Sequence, residues 1–413
     1  MSEIQAEFTT SGVIKTEAPA TQDLWVLVVL SLLMSFSSVS TDLYLPAMPV
    51  ISQDLQAFSG GVELTISAFL IGFSSGQLLW GPLGDRYGRK MPIFAGLILF
   101  VLGAAGCAMS ETIYQMIGWR IVQALGACAG PVLARAMIRD LYGREKSAQM
   151  LSTLVLIMGI APLIGPLVGG QILAVSSWHA IFWTLVLVGC ISIIALFTVP
   201  ETLTGEKRTQ EPLSAAFRDY FIQLRNPVLL GYVASGAFFY VGIYAFVAGS
   251  PFAYIDYYHL DAQAYGLLFG ANIIGIMGVN LVNSRLVMKL GVDRLFYIGT
   301  WFSAVAGVAL AVNAWSGWGG VAGLAVPIFV FTSMNGLIVA NSVAGALDTA
   351  PHKAGTTSSL IGALHYGSGV ISAAILGLLT DGTPWTMGLL VGIAGVGSLV
   401  SATLLRRFIR KTA

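Results

Sequence analysis

Long apolar runs separated by short polar segments fill the chain. Twelve of them, over 24–48, 61–79, 91–109, 113–137, 148–174, 179–200, 228–253, 264–282, 295–314, 321–344, 357–380 and 386–405, predict helices of spanning length. A bilayer takes about 20 such residues per helix. The one long polar stretch, 201–227, divides the spans six and six. The organisation expected is therefore a cytoplasmic tail 1–23, a six-helix half 24–200, a cytoplasmic linker 201–227, a second six-helix half 228–405 and a cytoplasmic tail 406–413. Within the linker Leu213, Ala216, Phe217, Tyr220, Phe221 and Leu224 recur at helical spacing before Pro227. That pattern predicts an amphipathic helix, lying on the membrane face or packed on protein.

Composition narrows the class. Of 413 residues, 56% are hydrophobic and only 10% charged, with a mean hydropathy of +0.80. Average soluble domains carry about 25% charged residues. So few charges exclude a soluble enzyme, a nucleic-acid binder and a disordered chain. A membrane β-barrel is excluded because its strands alternate polar and apolar residues over about 10 positions. The reading is an all-α polytopic membrane protein. Its 48 glycines suit helices that must approach closely in lipid. The three cysteines, Cys107, Cys128 and Cys190, lie inside apolar runs and read as packing residues, so no metal site is expected.

Charge sets the orientation. Alternate connections and the C-terminus carry the bases, among them Arg86, Arg89, Lys90, Arg139, Arg208, Arg285, Lys353 and Arg406. The opposite connections hold acids such as Asp54, Glu111, Asp256, Asp261 and Asp381 and no Lys or Arg. By the positive-inside rule both termini are cytoplasmic, which an even number of spans requires. Each half has its longest basic loop between its second and third spans, GPLGDRYGRK from Gly81 and a degenerate NSRLVMKLGVDR from Asn283. Two such pseudo-symmetric halves are the plan of a rocking transporter.

Asp42 and Arg120 read as the only formal charges well inside the spans, where a charge is expensive without a wet cavity or a partner. Both fall roughly 10 Å from the outer end at about 1.5 Å per residue, so they can share one layer. Burial and Arg120 would pull the Asp42 proton affinity in opposite directions, which suits proton coupling. Two plainer readings stay open: Asp42 ends or kinks its helix with Pro46 and Pro49, and Arg120 binds carbonyls. Ser31, Ser35, Ser38 and Asp42 put a polar stripe on the first span. In the loop from Gly81, glycines including Gly81 and Gly88 allow a tight turn, and Asp85 amid Arg86, Arg89 and Lys90 can form a switchable ion-pair cluster. In the fifth span Gly159, Pro162, Gly165, Pro166 and Gly169 predict a bent helix with one smooth face. Candidate cavity residues are Met34, Ser35, Ser38, Met158, Tyr240, Tyr244, Asn272, Asn335 and His365, each equally able to serve a neighbouring helix. Gly72–Gly76 matches a hydrolase G-x-S-x-G pattern but lies mid-helix, so an enzyme is not expected.

The loop from Gly81 to Lys90 resembles the hallmark motif of the major facilitator superfamily. The resemblance extends to Arg120–Gly126, similar to a proton-linked arginine motif, and to Gly159–Gly170, similar to the antiporter motif of drug exporters. The segments Thr41–Pro49, Trp178–Trp183 and Ala354–Ser359 look like the Bcr/CflA branch of drug:proton antiporters. The resemblance implies the major facilitator fold and a monomer in the bacterial inner membrane. It also implies export of amphiphilic antibiotics, driven by the proton gradient without a cofactor; a symporter or exporter of a small metabolite is the alternative. It further implies that Asp85 bonds the start of the eleventh span in the outward-facing state and that Arg89 pairs with Asp140. Some relatives carry a second acid about two turns before Asp42, where this chain has Met34.

Overall fold

The computed structural model describes residues 20–142, 144–350, 353–379 and 381–412. Most of the expected tail, 1–19, and the Met158 side chain lie outside the described residues. The first span is built from α1 (Ala20–Asp42), a 3-10 turn (Leu45–Ala47) and α2 (Met48–Asp54). Spans two to six are α3 (Glu63–Tyr87), α4 (Lys90–Ala108), α5 (Ile113–Leu141), α6 (Arg144–Val175) and α7 (Trp178–Thr198). After the linker helix α8 (Leu213–Gln223), α9 (Pro227–Pro251) continues as a π-helical turn (Phe252–Tyr257). Then follow α10 (Ala262–Leu290), α11 (Val292–Ser316), α12 (Gly320–Ser333) with α13 (Asn335–Asp348) as one broken span, α14 (Ala354–Leu379) and α15 (Trp385–Thr412). Eleven segments are long and apolar enough to cross a membrane among the described residues. The twelfth, α6, shows a shorter described apolar stretch, Gly159–Val175, within its 32 residues.

Several spans differ from the helices that their apolar runs predict. Pro46 and Pro49 supply no N–H to the ladder, so α1 stops at Asp42 and the chain re-enters helix at Met48. Asp42 thus stands at a helix break rather than six residues inside a helix. The tenth span breaks at Met334, which nothing in its apolar pattern signals. The second span runs on to Tyr87, so Gly81 and Gly84 are helical and only Gly88, at φ +91°, makes the turn. This correction matters because Pro82 sits inside α3 and deprives the Leu78 carbonyl of its helical donor. The Tyr220 hydroxyl of α8 donates to that carbonyl instead, at 3.2 Å.

The halves meet along two seams. α3 lies against α14, and the contact extends from Gly60, just before α3 near the acidic end, to Gly81 near the basic end. A Cβ on Gly60 would overlap the backbone of Gly377, and Gly81 stands 3.4 Å from Ser359 Oγ by the same measure. Two hydroxyls cross this seam: Ser74 donates to the Ala363 carbonyl at 2.8 Å and Ser67 to that of Val370 at 3.3 Å. Ser74 is the serine of the hydrolase-like pattern, and it serves here as a helix-to-helix tie. The second seam joins α6 to α10, where Gly170 faces Ala262 and Gly266 faces Leu167.

Within the first half, α6 presents Gly165 and Gly169 to the end of α1. A Cβ on Gly169 would overlap the Leu43 carbonyl, whereas Gly118 of α5 has nothing within 4 Å. Gly169→Ala should therefore lower the melting temperature in detergent by several degrees, while Gly118→Ala leaves it unchanged or slightly higher. Equal melting of the two variants in a differential scan would contradict this packing.

Candidate functional site

Asp42 is 6% exposed, at the point where α1 breaks. A Cβ on Gly165 would lie 3.0 Å from its Cβ, so α6 walls it on one side. Its Oδ1 accepts from the Thr41 hydroxyl at 3.1 Å. Across the interface it lies within electrostatic reach of Tyr244, Tyr265 and Tyr366, which belong to the second half. The carboxyl is thus held inside the protein at the seam between halves, away from acyl chains.

Arg120 is not brought to Asp42. It is fully buried, donating from one Nη to the Ser40 carbonyl at 3.0 Å and to Gln123 Oε1 at 2.8 Å. Its guanidinium carbon stands 4.4 Å from the Tyr44 ring centroid and 4.5 Å from that of Phe69. A cation between two ring faces gains quadrupole attraction, and its carbonyl partner lies beside the α1 break. The shared layer does not become an ion pair, because Arg120 is taken up by the Ser40 carbonyl and Tyr44 ring of the first span, Gln123 of α5 and the Phe69 ring of α3. Of the two readings, carbonyl binding is the one its contacts match.

Several cavity candidates come together and others do not. Tyr240 and Tyr244 of α9 have centroids 6.1 Å apart, and His365 of α14 stacks on Tyr240 at 4.9 Å. Tyr366, which the sequence reading passed over, completes this cage at 5.5 Å from Tyr240 and 4.5 Å from Phe73. Met34 is packed in the core at 3% exposure, and the Ser35 hydroxyl donates to Ser31 O of its own helix. The serine stripe is thus largely self-satisfied, with Ser38 half-buried. Asn272 donates to Leu268 O and accepts from Thr332 of α12, a helix-to-helix contact. Asn335 is half-buried at the start of α13.

Towards the basic end a cavity of ≈ 630 Å³ opens between the halves, lined by Gln77, Arg135, Asp85, Tyr220, Lys353 and Ser359 among others. Arg135 lines this cavity, with Tyr240 and Tyr366 within electrostatic reach. It corrects the expectation that Asp42 and Arg120 are the only charges well inside the spans. It lies two residues from the end of the predicted fourth span, and the sequence reading passed over it.

At the cavity mouth Arg89 pairs with Asp85 at 2.6 Å and with Asp140 at 2.8 Å. Asp85 therefore faces Arg89, and its backbone carbonyl accepts from Thr209 N at 3.0 Å. Arg86 turns outward over the neighbouring Tyr87 ring. Glu201, missed in the sequence because a lone acid in a polar linker carries no pattern, accepts from the N–H groups of Arg89, Lys90, Thr202 and Leu203. A side chain at Gly88 would come within 2.8 Å of its carboxylate.

A family model described as Major Facilitator Superfamily matches residues 30–374. The chain belongs to this superfamily. It is 32% identical over 371 residues to the bicyclomycin resistance protein homolog of Haemophilus influenzae, covering 89% of this chain and 92% of that protein. It is 26% identical to multidrug resistance protein D of Escherichia coli over 90% and 93% of the two chains, and 28% identical to the chloramphenicol resistance protein of Pseudomonas aeruginosa over 84% and 83%. Among solved structures, the partially occluded inward-open xylose transporter XylE of E. coli matches with a TM-score of 0.74 over 94% of this chain and 98% of that one, at 14% identity, a likeness of fold alone. In this major facilitator protein, then, the cluster around Arg89 ties α3, α5 and the segment after α7 together at the basic end.

Burial pushes the Glu201 carboxyl up, but its backbone N–H donors outweigh that and hold it below its ordinary value. With the folded value the lower one, its stabilising contribution is complete above the ordinary carboxylate range and is lost as pH falls through the folded value. Glu201→Gln should melt below the parent at neutral pH, with the gap closing in acid. A gap that stays constant in melting curves down to about pH 3, below the ordinary carboxylate value, would contradict this assignment.

Proposed function

We propose that this major facilitator protein is a proton-coupled exporter of amphiphilic antibiotics in the bacterial inner membrane, with the basic end and both termini in the cytoplasm. The observation that carries the reading is the meeting, at one seam, of the Asp42 carboxyl from one half with the Tyr240, Tyr244, Tyr366 and His365 cage of the other. Relatives named for resistance to bicyclomycin and chloramphenicol support the substrate class.

The cage offers flat apolar faces with polar edges, which suit drugs that share amphipathic character rather than one hydrogen-bond pattern. Drug would enter through the cavity at the basic end, past Arg135. Asp42 has no cation beside it among the described residues, so its charge state is energetically linked to which side the cavity opens. Rocking of the halves would move Asp42 between aqueous sides, taking a proton outside and releasing it inside as drug moves the other way. Arg120 would serve as a fixed clamp on the α1 break, so that the break moves as a rigid unit. The function needs no cofactor, and one chain contains both halves of the pathway, which fits a monomer.

Asp42→Asn should abolish proton-driven drug efflux from reconstituted vesicles while leaving drug binding measurable by tryptophan quenching. Undiminished gradient-driven transport by that variant would remove Asp42 from the mechanism. Reversing the imposed proton gradient separates export from the alternative of symport, since only an antiporter moves drug against the proton's direction.

A further inference from the structure

The two halves differ at one equivalent place. In the first half the start of α4 receives the Glu201 carboxylate on the N–H groups of Arg89 and Lys90, and Lys90 Nζ stands 5.7 Å from the Phe197 ring of α7. In the second half the start of α11 faces α15, and the ring and the cation exchange helices: Arg406 Cζ of α15 stands 4.9 Å from the Tyr297 ring of α11. Where the first half brings a carboxylate from the segment after α7, the second has Asp293 in the first turn of α11 with arginines around it.

Those arginines rim an open groove of ≈ 660 Å³ between α9, α11 and α15. Arg294, Arg406 and Arg410 are exposed along it, and none of the three forms an ion pair among the described residues. The floor is oily: Tyr232, Phe296 and Leu405 are at most 5% exposed. One carboxylate lines the groove, Asp293, and it accepts the Tyr232 hydroxyl. Three guanidiniums against one carboxylate leave the groove cationic. The same two spanning helices, α11 and α15, carry exposed apolar side chains, Phe302 and Leu404 among them.

We propose that this groove binds an anionic diacyl phospholipid, the guanidiniums of Arg294, Arg406 and Arg410 around the phosphodiester and the acyl chains along the flank of α11 and α15. Guanidinium forks match phosphate oxygens, and basic pockets between spanning helices at the bilayer surface favour anionic headgroups. The apolar floor selects a lipid over a free anion, which would leave that surface in water.

The test uses the purified full chain in neutral detergent, followed by native mass spectrometry and thermal unfolding with dioleoyl phosphatidylglycerol, dioleoyl phosphatidylcholine or inorganic phosphate. Phosphatidylglycerol should stay bound and raise the melting temperature, and the other two should do neither. The triple variant R294Q/R406Q/R410Q should weaken phosphatidylglycerol binding about tenfold or more. R407Q, on the same helix but outside the groove, should bind as the parent does. The milder R406Q serves if the triple variant does not fold, and should bind more weakly than R407Q. Equal retention of phosphatidylcholine, protection by phosphate alone, or parent-like binding by both the triple variant and R406Q would overturn the proposal.

Discussion

The structure depends on backbone approaching backbone where no side chain intervenes. In hydrocarbon, helices gain little from hiding apolar surface from one another, so contact distance decides how firmly they hold. Two of the tightest approaches fall at Gly60 on Gly377 between the halves and at Gly169 on the Leu43 carbonyl within the first half, with Gly165 beside it against the broken end of α1. Gly165 and Gly169 also fix the Asp42 carboxyl against a smooth wall. The packing device and the candidate chemistry are therefore the same few atoms.

Charge inside the spans is divided by role. Arg120 is immobilised by a carbonyl, an amide oxygen and two ring faces, all within its own half. Asp42 has one hydroxyl donor and faces tyrosines of the other half. Arg135 stands in the open cavity. A fixed cation beside the helix break keeps that break rigid, and a carboxyl across the interface senses the other half. The two are separate devices, although their equal depth in the sequence suggested one pair.

The apolar spans were legible because they rest on a local pattern of long apolar runs, whereas the Arg89–Asp140 pair was expected only through the resemblance of its loop to a known motif. What was hidden depends on tertiary neighbours. The break at Met334 has no proline to announce it. Gly81 suggested a turn, yet α3 runs on through Pro82, and Tyr220, far along the chain, serves the orphaned Leu78 carbonyl. Met34 and Ser35 occupy the right face by spacing, but the core and their own helix claim them. Tyr366 and Glu201 belong to no periodicity, and only assembly brings them to the cage and the latch.

The linker helix α8 is fastened to each half in a different way. To the first half it is joined by a neutral hydrogen bond that replaces a missing rung of α3, and its flanking chain by Thr209 N on Asp85 O. To the second half it is joined by packing against α14, with Tyr220 beside Ser359, and by the Asp219–Lys353 ion pair at 2.7 Å, with the lysine side chain 47% exposed. Such solvated pairs contribute only about 0–1 kcal/mol and weaken further in salt. The linker helix therefore sits astride α3 and α14 alike, and under the proposed rocking its ionic link to the second half would be the contact that salt loosens most readily.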